Sequence, residues 1–422
     1  MNARALRIGL VGVGMFAQDV HLPCYSQLHA HGLLPWLGRL GLDPLARRLG
    51  DIDIRFVAVA ARSEASACAA QEQWQRDGMP LAAYWGDAPW EPMLEAHPEL
   101  DVLAVATPDH LHAAPVLAAL ERGVHVIVEK PLCLEAQEAD AILALQARTG
   151  CLVGVDMHKR YDPDHLRIRD ELRTRIGEPL YGCALLEEPL HISTEVFQQW
   201  AAHSDPFSYV GSHWTDLFIA WYGAKPVSLH AVGQKRKLAS EHGIDTFDAV
   251  QVKVTFDNGM SIDFINNWVT PDAFEAPVNQ ESRLVGTEGL VESDTQYRGL
   301  RYATTQRGTQ TANTHFMRQV QRDDGSTALV GYSADSLLVC LARIAEMKFL
   351  GRTLDDVRGG YPDALEARLT VLIVHAARAV CARNHEYLQA GRGAPVTAHF
   401  GPEGVTLCDP WAGNTRLYEH PV

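Results

Sequence analysis

The sequence contains no C-x-x-C pair and no cysteine–histidine cluster at metal-ligand spacing. Its eight cysteines, Cys24, Cys68, Cys133, Cys151, Cys183, Cys340, Cys381 and Cys408, are scattered along the chain. That excludes a zinc ribbon or a dithiol redox centre read from spacing, so no metal is expected, and it fits a reduced, cytoplasmic setting. Positive charge is scarce: 37 Lys and Arg stand against 52 Asp and Glu, a formal net charge of -15. Surfaces that gather nucleic acid or anionic lipid need clustered cations, so neither is expected as a partner. No apolar run reaches the length of a membrane span, because Arg, Asp or His interrupts each one. The first residues, Met1 to Gly14, lack the succession of charged, apolar and small residues that marks a signal peptide.

What is present is a chain of 422 residues, 47% hydrophobic and 21% charged. That length exceeds the size at which a single core keeps growing, so two domains are expected. Leu6 to Val11 is a short apolar strand that runs into Gly12-Val13-Gly14-Met15-Phe16-Ala17, where a helical pattern begins. Further β-rich runs follow at Ile54–Ala61, Val102–Ala106 and Val124–Val128, alternating with helical stretches at Glu64–Gln75 and Ala113–Glu121. Strands this uniformly apolar belong to a parallel sheet covered on both faces. A helix from Leu134 to Thr149 and a strand from Cys151 to Asp156 complete a doubly wound Rossmann domain over residues 1–156, with an insertion at about 29–50. Residues 157–422 form a second, α/β domain. It opens on a helix at Asp164–Arg175, continues with antiparallel strands at Val227–Val232, Ala249–Phe256 and Met260–Asn266, and returns to helices at Ser333–Phe349 and Pro362–Ala382. Asp257-Asn258-Gly259 reads as a hairpin turn, and Thr304–Gly325, polar and poor in large apolar residues, as an exposed loop of low order.

The turn Gly12-x-Gly14-x-x-Ala17, including Met15 and Phe16, lets a backbone approach a pyrophosphate at a helix N-terminus. A glycine turn without a ligand is the bland alternative, which the strand and helix on either side disfavour. The second strand ends at Arg62-Ser63, where NAD-binding chains usually place a carboxylate. A basic and a hydroxyl side chain there favour NADP, with NAD the other candidate; alternatively Arg62 is a solvated surface residue and the ribose contact comes from the insertion. Thr107, Pro108, His110 and His112 follow one strand end, and Glu129-Lys130-Pro131 another. Both segments therefore lie where doubly wound sheets bind ligands, although a lysine so placed is often only a surface residue.

These motifs resemble the Gfo/Idh/MocA family, the glucose-fructose oxidoreductase and inositol dehydrogenase group. The resemblance runs from Leu6 to Arg175, resumes at Gly211–Pro226 and again at Gly286-Thr287-Glu288-Gly289, and is loose in the C-terminal helices. It implies a Rossmann domain followed by an α/β domain with a large open, mainly antiparallel sheet, assembled as a homodimer or homotetramer. It implies an NAD(P)-dependent oxidoreductase that moves a hydride between nicotinamide and a hydroxyl or keto group of a sugar, glycoside or cyclitol. The family lysine falls on Lys130, at the reacting oxygen, and the family histidine on His213, as general base. Glu129 is implied to sit close to the cofactor, and His158-Lys159-Arg160 to line the substrate cleft. One position departs from the pattern: where family dehydrogenases commonly carry Asp, four residues before the histidine, this chain has Tyr209. Tyr209 then takes part through its hydroxyl, or the chemistry differs.

The chemistry suits these assignments. Oxidising an alcohol requires a base near neutral pH at the hydroxyl, which an imidazole supplies, and a cation beside the same oxygen stabilises developing alkoxide charge. The aromatic and polar stretch Trp200–Trp214, with His203, Phe207, Tyr209 and Trp214, either stacks on a sugar or forms core. Two other readings stand beside the dehydrogenase: a redox-neutral NAD(P)-dependent enzyme that cleaves a glycoside or epimerises a sugar, and a non-catalytic NADP(H)-binding regulator.

Overall fold

Burial of the apolar run at the start of the chain produces its first strand, β1 (Ala5–Val11), in which Leu6, Ile8 and Leu10 are fully buried. It lies at the centre of a six-stranded sheet with β2 (Asp53–Ala61), β3 (Ala82–Trp85), β4 (Val102–Val105), β5 (His125–Val128) and β6 (Val153–Val155), in the order β3-β2-β1-β4-β5-β6. Every pair in it is parallel. Strand order reverses between β1 and β4, and the carboxyl ends of the strands on either side of such a switch point form the usual ligand crevice. The helices Glu64–Gln75 and Ala113–Glu121 stand where the periodicity puts them. The computed structural model describes residues 4–75, 78, 80–294, 298–325 and 327–422.

The insertion folds into two short helices, Leu34–Arg39 and Asp43–Leu49. Its Leu33, Trp36, Leu37, Leu45 and Leu49 share one core with Leu337, Leu341 and Ile344 of the helix Ser333–Leu350. Each such side chain removed from water contributes about 1.5–3 kcal/mol of transfer free energy. This packing changes the domain plan. The chain divides into a first unit of Met1–Cys133, Glu138–Asp162 and His315–Ala367, and a second of Leu134–Gln137, Pro163–Thr314 and Arg368–Val422. A single cut after residue 156 assigns His315–Ala367 to the second domain; its apolar helix instead closes the core of the first.

The second unit is built on a nine-stranded sheet of β7 (Pro179–Pro189), β8 (Pro226–Gln234), β9 (Ala249–Phe256), β10 (Ser261–Thr270), β11 (Asn279–Gly286), β12 (Leu290–Asp294), β13 (Thr397–Gly401), β14 (Gly404–Cys408) and β15 (Thr415–Tyr418), ordered β12-β11-β7-β10-β9-β8-β13-β14-β15. Only β7 and β10 pair in parallel among these neighbours. Alternation sets the faces: Ile262, Phe264 and Trp268 of β10 are buried while Asp263 points outward. Phe218 and Trp221 of the helix Ser212–Tyr222, with Leu372 and Val380, cover the inner face. Gly259, at a φ of 84°, closes the hairpin between β9 and β10.

The stretch Thr304–Gly325 departs from the loop expected of it. Arg301–Thr304 pairs with Gly308–Thr311 in one hairpin, and Arg318–Gln321 pairs with Thr327–Val330 in another. The side chains are mostly exposed, as their polarity requires, but glycine at positive φ (Gly308, Gly325) lets the backbone turn and pair with itself.

Candidate functional site

Two glycines at the end of β1 do different work. Gly12 has a φ of 95°, and a Cβ on it would stand 2.2 Å from the carbonyl oxygen of Ala106, so the fold itself demands glycine. A Cβ on Gly14 would meet nothing within 4 Å. Open space therefore lies over the N-terminus of the helix that starts at Met15, passes through a π-helical turn (Ala17–His21) and continues over Leu22–His31. Amides at such a terminus, approached across a residue without a side chain, suit a pyrophosphate. Met15 is exposed and Phe16 partly so, whereas Ala17 is buried and acts in packing rather than as a contact. At the end of β2, Arg62 and Ser63 are both exposed, and the Ser63 hydroxyl accepts the Ser66 backbone N–H (3.2 Å), capping the next helix.

The loops after β4 and β5 are tied together from inside. His112, expected to face a cofactor, is only 1% exposed; its ring nitrogens face the carbonyl oxygens of Pro131 (2.7 Å) and Thr107 (2.9 Å). It joins the two loops instead of lining a surface. Asp109, also buried, accepts the His110 backbone N–H at 2.8 Å. Lys130 is 5% exposed at the end of β5.

Glu129 turns inward. Its Oε1 lies 2.7 Å from Nε2 of His21, whose Nδ1 lies 3.1 Å from the Tyr25 hydroxyl. Asp156, fully buried one residue beyond β6, has its Oδ2 3.7 Å from Nδ1 of His158. Burial pushes the His21 imidazole down to about 4. Burial, then the Asp156 charge, raises the Glu129 carboxyl well above the usual carboxylate range. Burial alone would raise Asp156 too, but the facing His158 and His21 and a bond from Glu129 bring it below its ordinary value. His21, Tyr25 and Asp156 escape the sequence reading. A signal for Asp156 was present: it ends β6 as Glu129 ends β5, at the carboxyl edge where ligands bind.

The basic segment after β6 does not present itself as a surface. His158 is stacked between Phe16 (5.3 Å between ring centroids) and Tyr332 (5.8 Å), and Lys159 is 5% exposed. Arg160 is partly exposed and pairs with Glu366.

In the second unit, Asp205 accepts the Ser208 backbone N–H (3.0 Å) and starts the turn Phe207–Gly211, which leads into the helix carrying His213. A Cβ on Gly211 would stand 2.7 Å from Oδ1 of Asn266 in β10, so glycine lets this helix start lie against the sheet. His213 is 6% exposed. Tyr209, partly exposed, packs edge-on to Phe197 (4.8 Å) and near Trp200 (5.5 Å) and Trp268 (6.2 Å). Trp214 and Phe207 are not stacking platforms: both are fully buried, and the Trp214 indole donates to the Leu185 carbonyl at 2.9 Å. Asp216 is buried as well, and His203 is exposed.

A doubly wound parallel-sheet unit with a glycine turn at its first strand and a sheet-based second unit are the class this architecture defines. Sequence comparison agrees: an oxidoreductase family with an NAD-binding Rossmann fold matches residues 6–157, and the GFO/IDH/MocA C-terminal domain matches residues 170–292. The chain belongs to the Gfo/Idh/MocA family. Among its relatives, inositol 2-dehydrogenase 4 of Saccharopolyspora erythraea is 28% identical over 182 residues, 43% of this chain and 45% of that protein. The D-glucoside 3-dehydrogenase of Escherichia coli is 25% identical over 181 residues, 43% of each. These matches span less than half the length of either relative. In fold, the chain is similar to GenD2 from gentamicin A biosynthesis in complex with NAD, with a TM-score of 0.64 at 17% identity over 90% of this chain and 95% of that one. Among the described residues no helix is long and apolar enough to cross a membrane.

Proposed function

We propose that this protein is an NAD(P)-dependent oxidoreductase acting on a hydroxyl or keto group of a sugar, glycoside or cyclitol. The observation that carries the reading is the placement of the open Gly14 turn and of Lys130 on the same carboxyl edge of the sheet, the first after β1 beside the switch point and the second after β5, one strand beyond β4. The nicotinamide, when bound, accepts or returns the hydride. Gly12, Gly14, Met15 and Phe16 would hold the pyrophosphate, Thr107 and Pro108 would border it, and Arg62 at the end of β2 would favour the dinucleotide with the 2′-phosphate. Lys130, with its ammonium in a water-poor setting, stabilises charge on the reacting oxygen, and His213 takes or gives the hydroxyl proton. Both residues come from sequence segments that the family resemblance assigns to these roles. We further infer a cytoplasmic homodimer or homotetramer.

Reduced-nicotinamide absorbance, followed with NADP or NAD and a panel of sugars, glycosides, cyclitols and sugar acids, tests this directly. A substrate-dependent change is expected, Lys130→Met abolishes it while leaving dinucleotide affinity nearly intact, and Arg62→Asp moves preference toward NAD. Full turnover by Lys130→Met would overturn the assignment.

One observation favours a second reading within the same fold. Tyr209, held by three aromatic neighbours, stands where related dehydrogenases commonly carry Asp, so the base at His213 lacks that carboxylate. A redox-neutral enzyme that oxidises a sugar transiently, cleaves or epimerises, and returns the hydride would show product without net absorbance change.

A further inference from the structure

The carboxyl ends of β5 and β6 bring Glu129 and Asp156 together in a pocket from which water is excluded: Glu129 is 6% exposed, Asp156 and His21 not at all. A carboxyl oxygen of each and a ring nitrogen of His21 all lie within 4.8 Å of one another. Two carboxylates so close and so buried cannot both hold a charge. Moreover, no N–H stands within hydrogen-bond geometry of either Asp156 oxygen among the described residues, Nδ1 of His158 lying 3.7 Å from Oδ2, an arrangement that costs free energy unless a proton on Glu129 supplies the donor.

We propose that Glu129 and Asp156 share a single proton carried by Glu129, and that this acid–carboxylate pair is a positioning device for Lys130. One set of proton positions satisfies every contact. The Tyr25 hydroxyl donates to Nδ1 of His21, Nε2–H of His21 donates to Oε1 of Glu129, and the other oxygen of Glu129 carries the proton that faces Asp156. The shifts agree in direction: burial keeps His21 neutral near pH 7 and raises Glu129. Besides His21, the charged and titratable groups facing the pair are Lys130, His158 and, next to it, Lys159, together with the Tyr25 and Tyr161 hydroxyls and the Cys24 and Cys340 thiols, which burial keeps neutral. Backbone bonds complete the anchorage, Glu129 N–H to the Val105 carbonyl and Asp156 N–H to the Val128 carbonyl, both at 2.8 Å. The side-chain pair thus links β5 to β6 and, through His21, to the glycine-turn helix, fixing the residue that precedes Lys130. The positioning role rests on the reading that Lys130 works at the reacting oxygen; the shared proton does not.

Two measurements on the full chain test this without any substrate. In infrared spectra at neutral pH, the carbonyl stretch of a protonated carboxylic acid is expected in the wild type and absent in Glu129→Gln. In competitive labelling with acetic anhydride read by mass spectrometry, the titration midpoint of Lys130 in Glu129→Gln stays within about 0.3 pH unit of wild type, because one neutral group replaces another. Asp156→Asn, which removes the real negative charge, moves that midpoint down. Glu129→Ala, with the bridge gone, labels Lys130 about tenfold faster, and Gln restores the wild-type rate. Absence of the acid band, or a Glu129→Gln midpoint as low as that of Asp156→Asn, means an ionised Glu129 paired with a cationic His21 and overturns the shared proton. Equal labelling in the Ala and Gln variants overturns the positioning role. Turnover surviving in Lys130→Met leaves the infrared band untouched, so the functional reading and the shared proton fail separately.

Discussion

Replacing Glu129 with Gln has a thermodynamic consequence whose sign and slope follow from the cluster. The carboxyl carries a proton in the folded protein to a pH well above 4.5, its ordinary value, because burial and the Asp156 charge oppose ionisation. In the unfolded chain it ionises near 4.5. Between those two values the folded state binds one proton more than the unfolded state, so stability falls as pH rises, by about 1.4 kcal/mol per pH unit. The contribution is whole below 4.5 and gone above the folded value. Glutamine fills the same volume, donates a comparable hydrogen bond and does not titrate. Glu129→Gln therefore matches the wild type at pH 4.5 and gains on it as pH rises, by at most about 1.4 kcal/mol per pH unit, until the folded carboxyl ionises. Urea denaturation of both proteins at half-unit intervals from pH 4.5 to 8, with the midpoint difference plotted against pH, measures the slope. A difference independent of pH, or a variant that loses ground as pH rises, refutes the protonated Glu129.

The glycine turn separates folding from binding. Gly12→Ala drives a Cβ against the Ala106 carbonyl at a positive φ and is expected to destabilise the first unit by more than about 2 kcal/mol in thermal denaturation. Gly14→Val enters open space, so its Tm stays within about 2 °C of wild type while NADPH affinity, read by fluorescence titration, drops by about two orders of magnitude. Trp214→Ala empties a fully buried site, costs about 3–5 kcal/mol of stability and leaves KM unchanged at permissive temperature; a change in KM without loss of Tm would return Trp214 to the substrate.

Much of the first sheet was legible because its strands are buried on both faces. A run such as Val102–Val105 has no polar side to misread, and Ala113–Glu121 and Ala249–Phe256 end where the sequence changes period. The domain division was not legible in the same way. Ser333–Leu350 reads as an apolar helix whichever unit it joins, and only the helical insertion, which offers Leu33, Trp36 and Leu45 as partners, decides its place. The polar hairpins after Arg301 were missed because main-chain pairing between short strands leaves little trace in side-chain chemistry.

Site residues divide along the same line. Chain position alone put Gly12, Gly14 and Lys130 at the ends of strands, where the structure has them, because strand ends are readable and so is the need for glycine. The direction of a side chain is not. His213 and Trp214 are neighbours in one helix turn about 100° apart, and with Trp214 pointed at the Leu185 carbonyl the phase of the whole helix is set. Glu129 and Lys130, also neighbours, both lie just past the end of β5 and both are buried, and a Glu129 turned toward His21 needs a partner inside. That partner, Asp156, lies 27 positions away in sequence and one strand away in space. A charged residue at a ligand-binding strand end thus has two destinations, and the distinction turns on whether the adjacent strand ends in a group able to share its proton.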